Sequence, residues 1–194
     1  MNHKHPREEI VEKGVRLFRL NGYTNTGMDD ILKHCGISKG TFYNYFGSKE
    51  RFLEETLKTY STNMIMVMDQ NMNAVSGNSF EKIKAFFKMV TDVNEQEGCI
   101  GGCLVNNMSM ELAGISNHLA AVIERSFNSF KNRVESEVTN GQIDGSIRTD
   151  ISAADLTDFI YTGLYGSTSF MKTSRSIEPM RKFMKLAMDF IRPN

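Results

Sequence analysis

The stretch CGISKGTFYNYF, residues 35–46, is the most informative part of the sequence. Gly36 permits a tight turn with positive φ, and Ser38 is a residue favoured at the N-terminus of a helix. Phe42 and Phe46 lie four residues apart and therefore face inward together on one helix. These signals predict a short helix that is entered through a glycine turn.

Two helices are predicted before this stretch. An apolar face around Leu17 and Phe18 predicts the first, which the Asn21-Gly22 pair would end. The second is predicted to run up to the turn at residue 36, with N-cap hydroxyls supplied by Thr24 to Thr26. Two helices joined by a short glycine turn match a helix-turn-helix unit, whose second helix enters the major groove of DNA.

The outer face of that second helix is polar. With the two phenylalanines placed inside, the side chains left outside or at the edge are Lys39, Thr41, Tyr43, Asn44 and Tyr45. They suit hydrogen bonds to phosphates and base edges, and the helix-start amides near Ser38 can receive a phosphate. Gly40 costs about 1 kcal/mol in a helix but allows close backbone approach to a ligand. Taken singly, each residue is equally an ordinary solvated or packing residue.

Charge is distributed unevenly along the chain. The 194 residues carry 23 basic and 23 acidic side chains, which excludes a uniformly basic nucleic-acid coat and an acidic disordered tail. Residues 33–51 nevertheless hold four basic residues and one acidic residue, a net charge of +3. Neutrality is therefore an average over a basic N-terminal part and a slightly acidic remainder.

The rest of the chain also follows helical periodicity. Further helices are predicted at 79–96, 103–114, 117–140, 152–172 and 178–191, and no stretch alternates as a strand would. We expect an all-α protein with one domain over 1–50 and a second over 51–194, the long helix before the polar break at 75–79 belonging to both parts. The sequence predicts no membrane span, no secretory signal, no cofactor and no metal site. Three cysteines, two of them only four residues apart, argue against a disulfide framework, so a reducing cytoplasm is the expected compartment.

Residues 8–60 closely resemble the DNA-binding domain of the tetracycline-repressor (TetR) family of bacterial regulators. The resemblance rests on GVRLF at 14–18, GYTNT at 22–26, the stretch at 35–46 and SKE at 48–50, with Asp-Ile at 30–31. Arg16 stands where the family usually has alanine, a minor departure. The motif is dense and ordered, and it covers about a quarter of the chain.

This resemblance implies a non-enzymatic regulator. It implies an N-terminal three-helix helix-turn-helix domain followed by a helical ligand-binding and dimerisation domain. The homodimer would bind an inverted-repeat operator in double-stranded DNA and leave it when a small-molecule effector binds. By position, the DNA contacts fall on Thr26, Ser38, Lys39, Gly40, Thr41, Tyr43, Asn44, Tyr45 and Lys49. The tyrosines and Lys49 are expected mainly on phosphates, and residues 39–41 and 44 nearer the bases.

The effector pocket is expected between the long fourth helix and the helices of residues 79–172. Flexible methionine and aromatic side chains suit an adaptable apolar pocket. The candidates are Met64, Met68, Phe86, Met89, Cys103, Met110, Phe127 and Tyr161. The same residue types also suit a plain helical core, and the chemistry of the effector stays open.

In the family, the last two long helices of each subunit pack as a four-helix bundle across a two-fold axis. Apolar residues and helix-interior glycines in the last two predicted helices agree with such a bundle. The interface candidates are Phe159, Gly163, Gly166, Phe183 and Phe190. Packing within one chain is the alternative explanation for them.

Cys103 is a candidate for a sensor of reactive molecules. It follows two glycines at a predicted helix start, where a thiol pKa is lowered. The segment at 102–106 also resembles one branch of the family, in which some members sense electrophiles or oxidants through a cysteine. Cys103 is thus a candidate sensor with Cys99 as a resolving thiol, or simply a small buried residue. Cys35 is expected to be structural.

Two other classes were weighed against a regulator. An all-α cysteine enzyme would use Cys103 as nucleophile and His118 as base, but no acidic residue near His118 in sequence would orient it. A metal site built from Cys99, Cys103 and His118 lacks the paired ligand spacing of zinc sites. A DNA-binding regulator accounts for more of the residues than either.

Overall fold

The computed structural model describes residues 6–193, and every regular element within them is an α-helix, which confirms the all-α prediction. The helices are α1 Arg7–Asn21, α2 Met28–Cys35, α3 Lys39–Phe46, α4 Lys49–Asn73, α5 Ser79–Gln96, α6 Leu104–Leu112, α7 Asn117–Ile143, α8 Ala153–Ser174 and α9 Glu178–Phe190. The predicted stretch at 79–96 coincides with α5, and the bounds of α6 to α9 differ from prediction by at most three residues. None of these helices is both long and apolar enough to cross a bilayer.

Packing divides the chain into two compact units. The first contains the chain up to Asn63 together with Cys103–Phe127, and the second contains Met64–Gly102 together with the chain from Asn128 onward. The helix α6 therefore packs with the N-terminal helices, which its position in the sequence does not reveal. The functional division at 50/51 stays a prediction, because packing units do not define functional domains.

Aromatic packing forms the centre of the first unit. Phe18, Phe42, Phe46 and Phe52 are all buried, and the Phe52 ring centroid lies 5.7, 5.3 and 4.6 Å from those of the other three in turn. Gly14 lets α1 approach this cluster, since a Cβ there would lie 2.4 Å from Cζ of Phe52. The rings thus join α1, α3 and α4.

The start of α2 differs from the prediction. Thr24 to Thr26 do not cap it: the N-cap is Gly27, whose N–H donates to the Asp30 carboxylate at 2.9 Å. The Thr26 hydroxyl instead donates to the carbonyl of Gly22, and the Thr26 side chain is buried. Thr26 is therefore used to close the turn after α1, and an acidic residue in the first helical turn supplies the capping acceptor.

The unpaired backbone N–H groups at the start of α5 are hydrogen-bonded by Asp144 and Ser146, which are distant in sequence but lie in the same unit. The N–H of Ser79 donates to Asp144 Oδ2 at 3.1 Å, and the N–H of Phe80 donates to Ser146 Oγ at 3.2 Å. Asn78 accepts from the N–H of Glu81 at 3.1 Å. Three backbone donors that a helix leaves unpaired are thereby bonded.

A close crossing joins α8 to α9 within this unit. A Cβ at Gly163 would lie 2.1 Å from the Phe183 ring, so only glycine fits there without movement. At Gly166, by contrast, a Cβ would meet no described atom within 4 Å. The helix-interior glycine at 163 is thus explained by packing inside one chain.

Replacement of Asp144 by asparagine should lower the free energy of unfolding by up to about 1 kcal/mol at neutral pH, because a carboxylate near the start of α5 is lost. Hydrogen bonds from Ser146 and Ser79 lower the pKa of Asp144 from 3.8 to about 2. The contribution of the carboxylate is therefore present above pH 3.8 and is lost as the pH falls through about 2.

Denaturant unfolding of both proteins at several pH values measures this difference. Glu124→Gln, at an exposed residue of α7, is the matched control and should show no such pH-dependent gap. Equal stability of the Asp144→Asn variant and the original chain at neutral pH would contradict the assignment.

Candidate nucleic-acid interface

The turn between α2 and α3 is built as the sequence predicted. Gly36 adopts the left-handed conformation with φ 73° and ψ 34°. The N–H groups of Gly36 and Ile37 both donate to the carbonyl of Leu32, at 2.9 and 3.1 Å. Ser38 then caps α3, since its Oγ accepts from the N–H of Thr41 at 3.1 Å. The direction of α3 relative to α2 is fixed by these bonds.

The inner face of α3 confirms the spacing argument. Phe42 and Phe46 are buried, with ring centroids 5.3 Å apart, and both pack against Phe52 of α4. Because both anchors lie on one side of an eight-residue helix, the opposite side has to face outward. Of the predicted DNA contacts, Lys39, Gly40, Tyr43 and Asn44 are exposed on this helix.

The outer side of α3 is exposed at Lys39, Gly40 and Asn44, and Tyr43 keeps 44% of its surface accessible. Tyr45 is half-buried against Phe46, with ring centroids 5.9 Å apart. The structure therefore brings a cation, an amide and a phenol together on one small surface. These groups can bind an anion and read hydrogen-bonding partners.

Two predicted contacts already have partners within the unit. The Thr41 hydroxyl lies 2.9 Å from Ser38 Oγ. The Lys49 ammonium lies 4.1 Å from the centroid of the Tyr23 ring, a cation–π geometry. Burial lowers the pKa of Lys49, and the charges of Glu111 and Asp30 oppose that shift. The buried Thr26 side chain has its hydroxyl bonded to Gly22, and its phosphate contact stays a prediction.

Gly40 has no packing reason within its own unit. A Cβ at this position would meet only Ser38 Oγ, at 3.9 Å, and the residue lies in regular helix. Glycine is the less stable choice in a helix when nothing approaches it. Packing within the chain therefore gives no reason for glycine at residue 40, and the predicted DNA contact there stays a prediction.

Glu111 on α6 was missed by the sequence analysis. Its carboxylate accepts from the N–H groups of Tyr23, at 3.0 Å, and Thr24, at 2.5 Å, in the turn after α1. Burial alone would raise the pKa of Glu111, but the bonds from Thr24 and Tyr23 and the charge of Lys49 outweigh it and lower the pKa. No local pattern links residues so far apart in sequence, so only the fold could reveal this contact.

The predicted pocket residues fall into both units. In the second unit Met68, Phe86 and Tyr161 are buried, and Met64 and Met89 are half-buried. In the first unit Cys103 and Phe127 are half-buried, whereas Met110 is 84% exposed. An open groove of about 430 Å³ between α5 and α9 is lined by Phe87 and Met184 among others, and none of the predicted pocket residues lines it. The pocket therefore stays a prediction.

The three cysteines differ in environment. Cys103 is the N-cap of α6, as the sequence predicted, and is half-buried. It forms a hydrogen bond with the hydroxyl of Tyr60, and burial together with this neighbour raises the pKa of Tyr60. Cys35 is buried in the first unit, where burial raises its pKa to about 11, in keeping with a structural role. Cys99 is buried with φ 60° and lies in the other unit.

His118 has an acidic neighbour that the sequence did not indicate. Its Nε2 lies 2.8 Å from Glu54 Oε1, and donor atoms of Glu50, Glu54 and His118 lie within 4.8 Å of one another. These three side chains could hold a metal ion, and neither Cys99 nor Cys103 belongs to the group. Glu50 and His118 are exposed, so a surface hydrogen bond between Glu54 and His118 accounts for the arrangement equally well.

The interface candidates on α8 and α9 form an aromatic surface. Phe159 lies between Phe183 and Phe190, with ring centroids 5.8 and 4.9 Å away. Phe159 and Phe190 are 42% and 41% exposed in the single chain, and Phe170 and Leu186 on the same two helices reach 70% and 67%. Large apolar side chains left this exposed are typical of a surface that another protein covers.

Two family models match the sequence over most of its length. Residues 10–56 match the model of bacterial regulatory proteins of the tetR family. Residues 79–187 match the tetracyclin repressor-like C-terminal domain. The two matches include the helix-turn-helix, all of α8, and α9 up to residue 187.

Similar proteins are named as regulators. The HTH-type transcriptional repressor DhaR of Mycobacterium sp. strain GP1 is 27% identical over 97% of this chain and 93% of its own. The repressor NemR of Escherichia coli K12 is 25% identical over 90% and 87%. The solved regulator CifR, complexed with 26-base-pair operator DNA, shares the fold with a TM-score of 0.82 at 16% identity, over 98% and 99% of the two chains.

Replacement of Gly40 by alanine should separate stability from DNA binding. We expect the midpoint of thermal unfolding to rise, because alanine is favoured in a helix by about 1 kcal/mol and the added methyl group meets open space. We expect affinity for duplex DNA to fall, because the methyl group would obstruct the duplex at this predicted contact. Thermal melts and fluorescence anisotropy measure the two effects, and undiminished affinity would show that no duplex approaches residue 40.

Proposed function

The chain belongs to the TetR family of bacterial regulatory proteins, and we propose that it is a homodimeric, cytoplasmic repressor that an effector releases from an inverted-repeat operator. Transcriptional regulation by DNA binding follows from the family itself. The operator symmetry, the dimer and the effector are the finer parts of the proposal.

The outward surface of α3 carries the proposal. Its exposed side chains stand on a base of buried phenylalanines, so the surface is held in one orientation before DNA arrives. Base edges are read by such preorganised side chains, while cations and helix-start amides bind the phosphates. The local charge of +3 between residues 33 and 51 attracts the duplex, and the slightly acidic remainder limits indiscriminate binding.

The aromatic surface on α8 and α9 supports the dimer. A two-fold partner would cover Phe159 and Phe190 together with the more exposed Phe170 and Leu186. The open space above Gly166 would accept a side chain of that partner. A dimer presents the α3 surface twice, so it would recognise an operator of two inverted half-sites.

A thiol sensor is the second candidate for the effector site. Cys103 stands at the start of α6, half-buried and bonded to Tyr60, and a helix N-terminus favours thiolate. The sulfur would add to the activated carbon–carbon double bond of an electrophile such as N-ethylmaleimide. The S–C bond forms as the C=C π bond breaks, the thiol proton passes to solvent, and the resulting enolate takes up a proton from solvent.

Replacement of Lys39 by alanine should weaken operator binding about tenfold, because one phosphate or base contact is lost in each subunit. Fluorescence anisotropy with the promoter region beside the protein's own gene measures this loss. Wild-type affinity should also fall steeply with salt, each neutralised phosphate contributing about −0.9 to the log–log slope.

The matched control for Lys39 is Lys88→Ala, which removes the same charge from an exposed residue of α5 in the other unit. Its affinity should stay near that of the original chain. Failure of the wild-type protein to prefer any genomic fragment over random DNA would overturn the repressor proposal.

Replacement of Cys103 by serine should abolish release from the operator by mild electrophiles, because serine cannot form the adduct. Anisotropy before and after treatment with N-ethylmaleimide measures release, and mass spectrometry locates the adduct. Cys35→Ser is the control, since that thiol is buried and its pKa is raised. Unchanged release from the Cys103→Ser variant would reject the sensor.

A further inference from the structure

The helix α6 directs a row of polar groups toward the N-terminal helices. Cys103, Asn107 and Glu111 are spaced four residues apart and therefore lie on one side of α6. Asn107 Nδ2 donates to the carbonyl of Arg19, near the end of α1, at 3.1 Å. The Glu111 carboxylate accepts hydrogen bonds from the N–H groups of Tyr23 and Thr24, in the turn that follows α1. The end of α1 and the turn after it are both held by α6.

The turn is shaped to receive a carboxylate. Gly22 has φ +80°, and a Cβ added there would lie 3.0 Å from Glu111 Oε2. A side chain at residue 22 would crowd the carboxylate, and the positive φ separately favours glycine there. Two backbone N–H groups that converge on one ionised carboxylate form charge-assisted bonds, which are stronger than bonds between neutral groups.

The same turn supports a predicted DNA contact. The backbone N–H of Tyr23 donates to the Glu111 carboxylate. The ring of the same tyrosine has its centroid 4.1 Å from the Lys49 ammonium. Lys49 begins α4, directly after the end of α3. The position of the Lys49 charge therefore depends on where the ring of Tyr23 is held.

We propose that Glu111 is a positioning residue for the DNA-binding surface: it holds the turn after α1, and through Tyr23 it holds Lys49 in place for the operator. The inference rests on the proposed operator binding and adds a residue from outside the helix-turn-helix. Glu111 does not touch DNA in this role.

If Glu111 affected DNA binding only through its charge, removing that charge would change the affinity in the opposite direction. Glu111 is an acid in the unit that binds a polyanion, so removing its charge would strengthen DNA binding if electrostatic repulsion were its whole effect. The positioning role requires that the same change weaken binding. Weaker DNA binding after removal of the Glu111 charge therefore indicates positioning, and tighter binding indicates electrostatic repulsion alone.

The experiment compares the full-length protein with Glu111→Gln and Glu124→Gln by anisotropy on the operator fragment at fixed salt. Glu124 is an exposed residue of α7 in the same unit, so its variant loses the same charge without touching the turn. We expect Glu111→Gln to weaken binding about tenfold and Glu124→Gln to leave it unchanged or slightly tighter. Circular dichroism at the assay temperature checks that each variant is folded.

A double-mutant cycle with Lys49→Ala tests the route through Lys49. If Glu111 acts by holding Lys49, the Glu111→Gln change should cost clearly less affinity in the Lys49→Ala background than in the original chain. The salt slope of Glu111→Gln should also be shallower, because fewer phosphates are neutralised. A general loss of stability would change neither the coupling nor the slope in this way.

Each outcome either supports or overturns the proposed role of Glu111. Equal or tighter binding by Glu111→Gln overturns the inference while the repressor proposal stands, and strictly additive losses with Lys49→Ala overturn the route. Absence of sequence-preferring binding in the wild-type and Glu124→Gln proteins alike overturns both the repressor proposal and the inference. A tenfold loss confined to Glu111→Gln, with coupling to Lys49, supports it.

Discussion

The contact of Phe52 with the rings of Phe18, Phe42 and Phe46 is the interaction on which the DNA-binding surface depends. Phe52 belongs to α4 and touches rings from α1 and α3, so one buried side chain sets the position of three helices. Gly14 makes this possible by letting α1 approach the ring. With both phenylalanines of α3 engaged, the polar side of that helix has one orientation available to it.

Glycines have two distinct uses in this arrangement. Gly14 and Gly163 leave room for a phenylalanine ring of the same chain, and Gly36 supplies the left-handed turn between the helices. Gly40 has neither purpose, since nothing in its unit approaches it and its helix is regular. The proposed approach of a DNA duplex would account for a glycine that has no packing reason within its own chain.

Much of the fold was predictable because helical periodicity and end signals act over a few residues. The Ser38 cap, the Gly36 turn and the inward pair on α3 were all confirmed. The cap of α2 was predicted wrongly, because Thr26 bonds backward to Gly22 while Gly27 begins the helix. Neighbouring threonines and glycines compete for that position, and sequence gives little basis for choosing between them.

The sequence by itself determined the helical class, the helix-turn-helix and the polar face of α3, since each depends on residues close together in the chain. Only the tertiary structure decided that α6 packs with the N-terminal helices, that Glu111 holds the turn after α1, and that Glu54 faces His118. The paired residues in these contacts stand 64 to 88 positions apart. Contacts of that kind form only when buried faces bring distant helices together, and no local pattern encodes them.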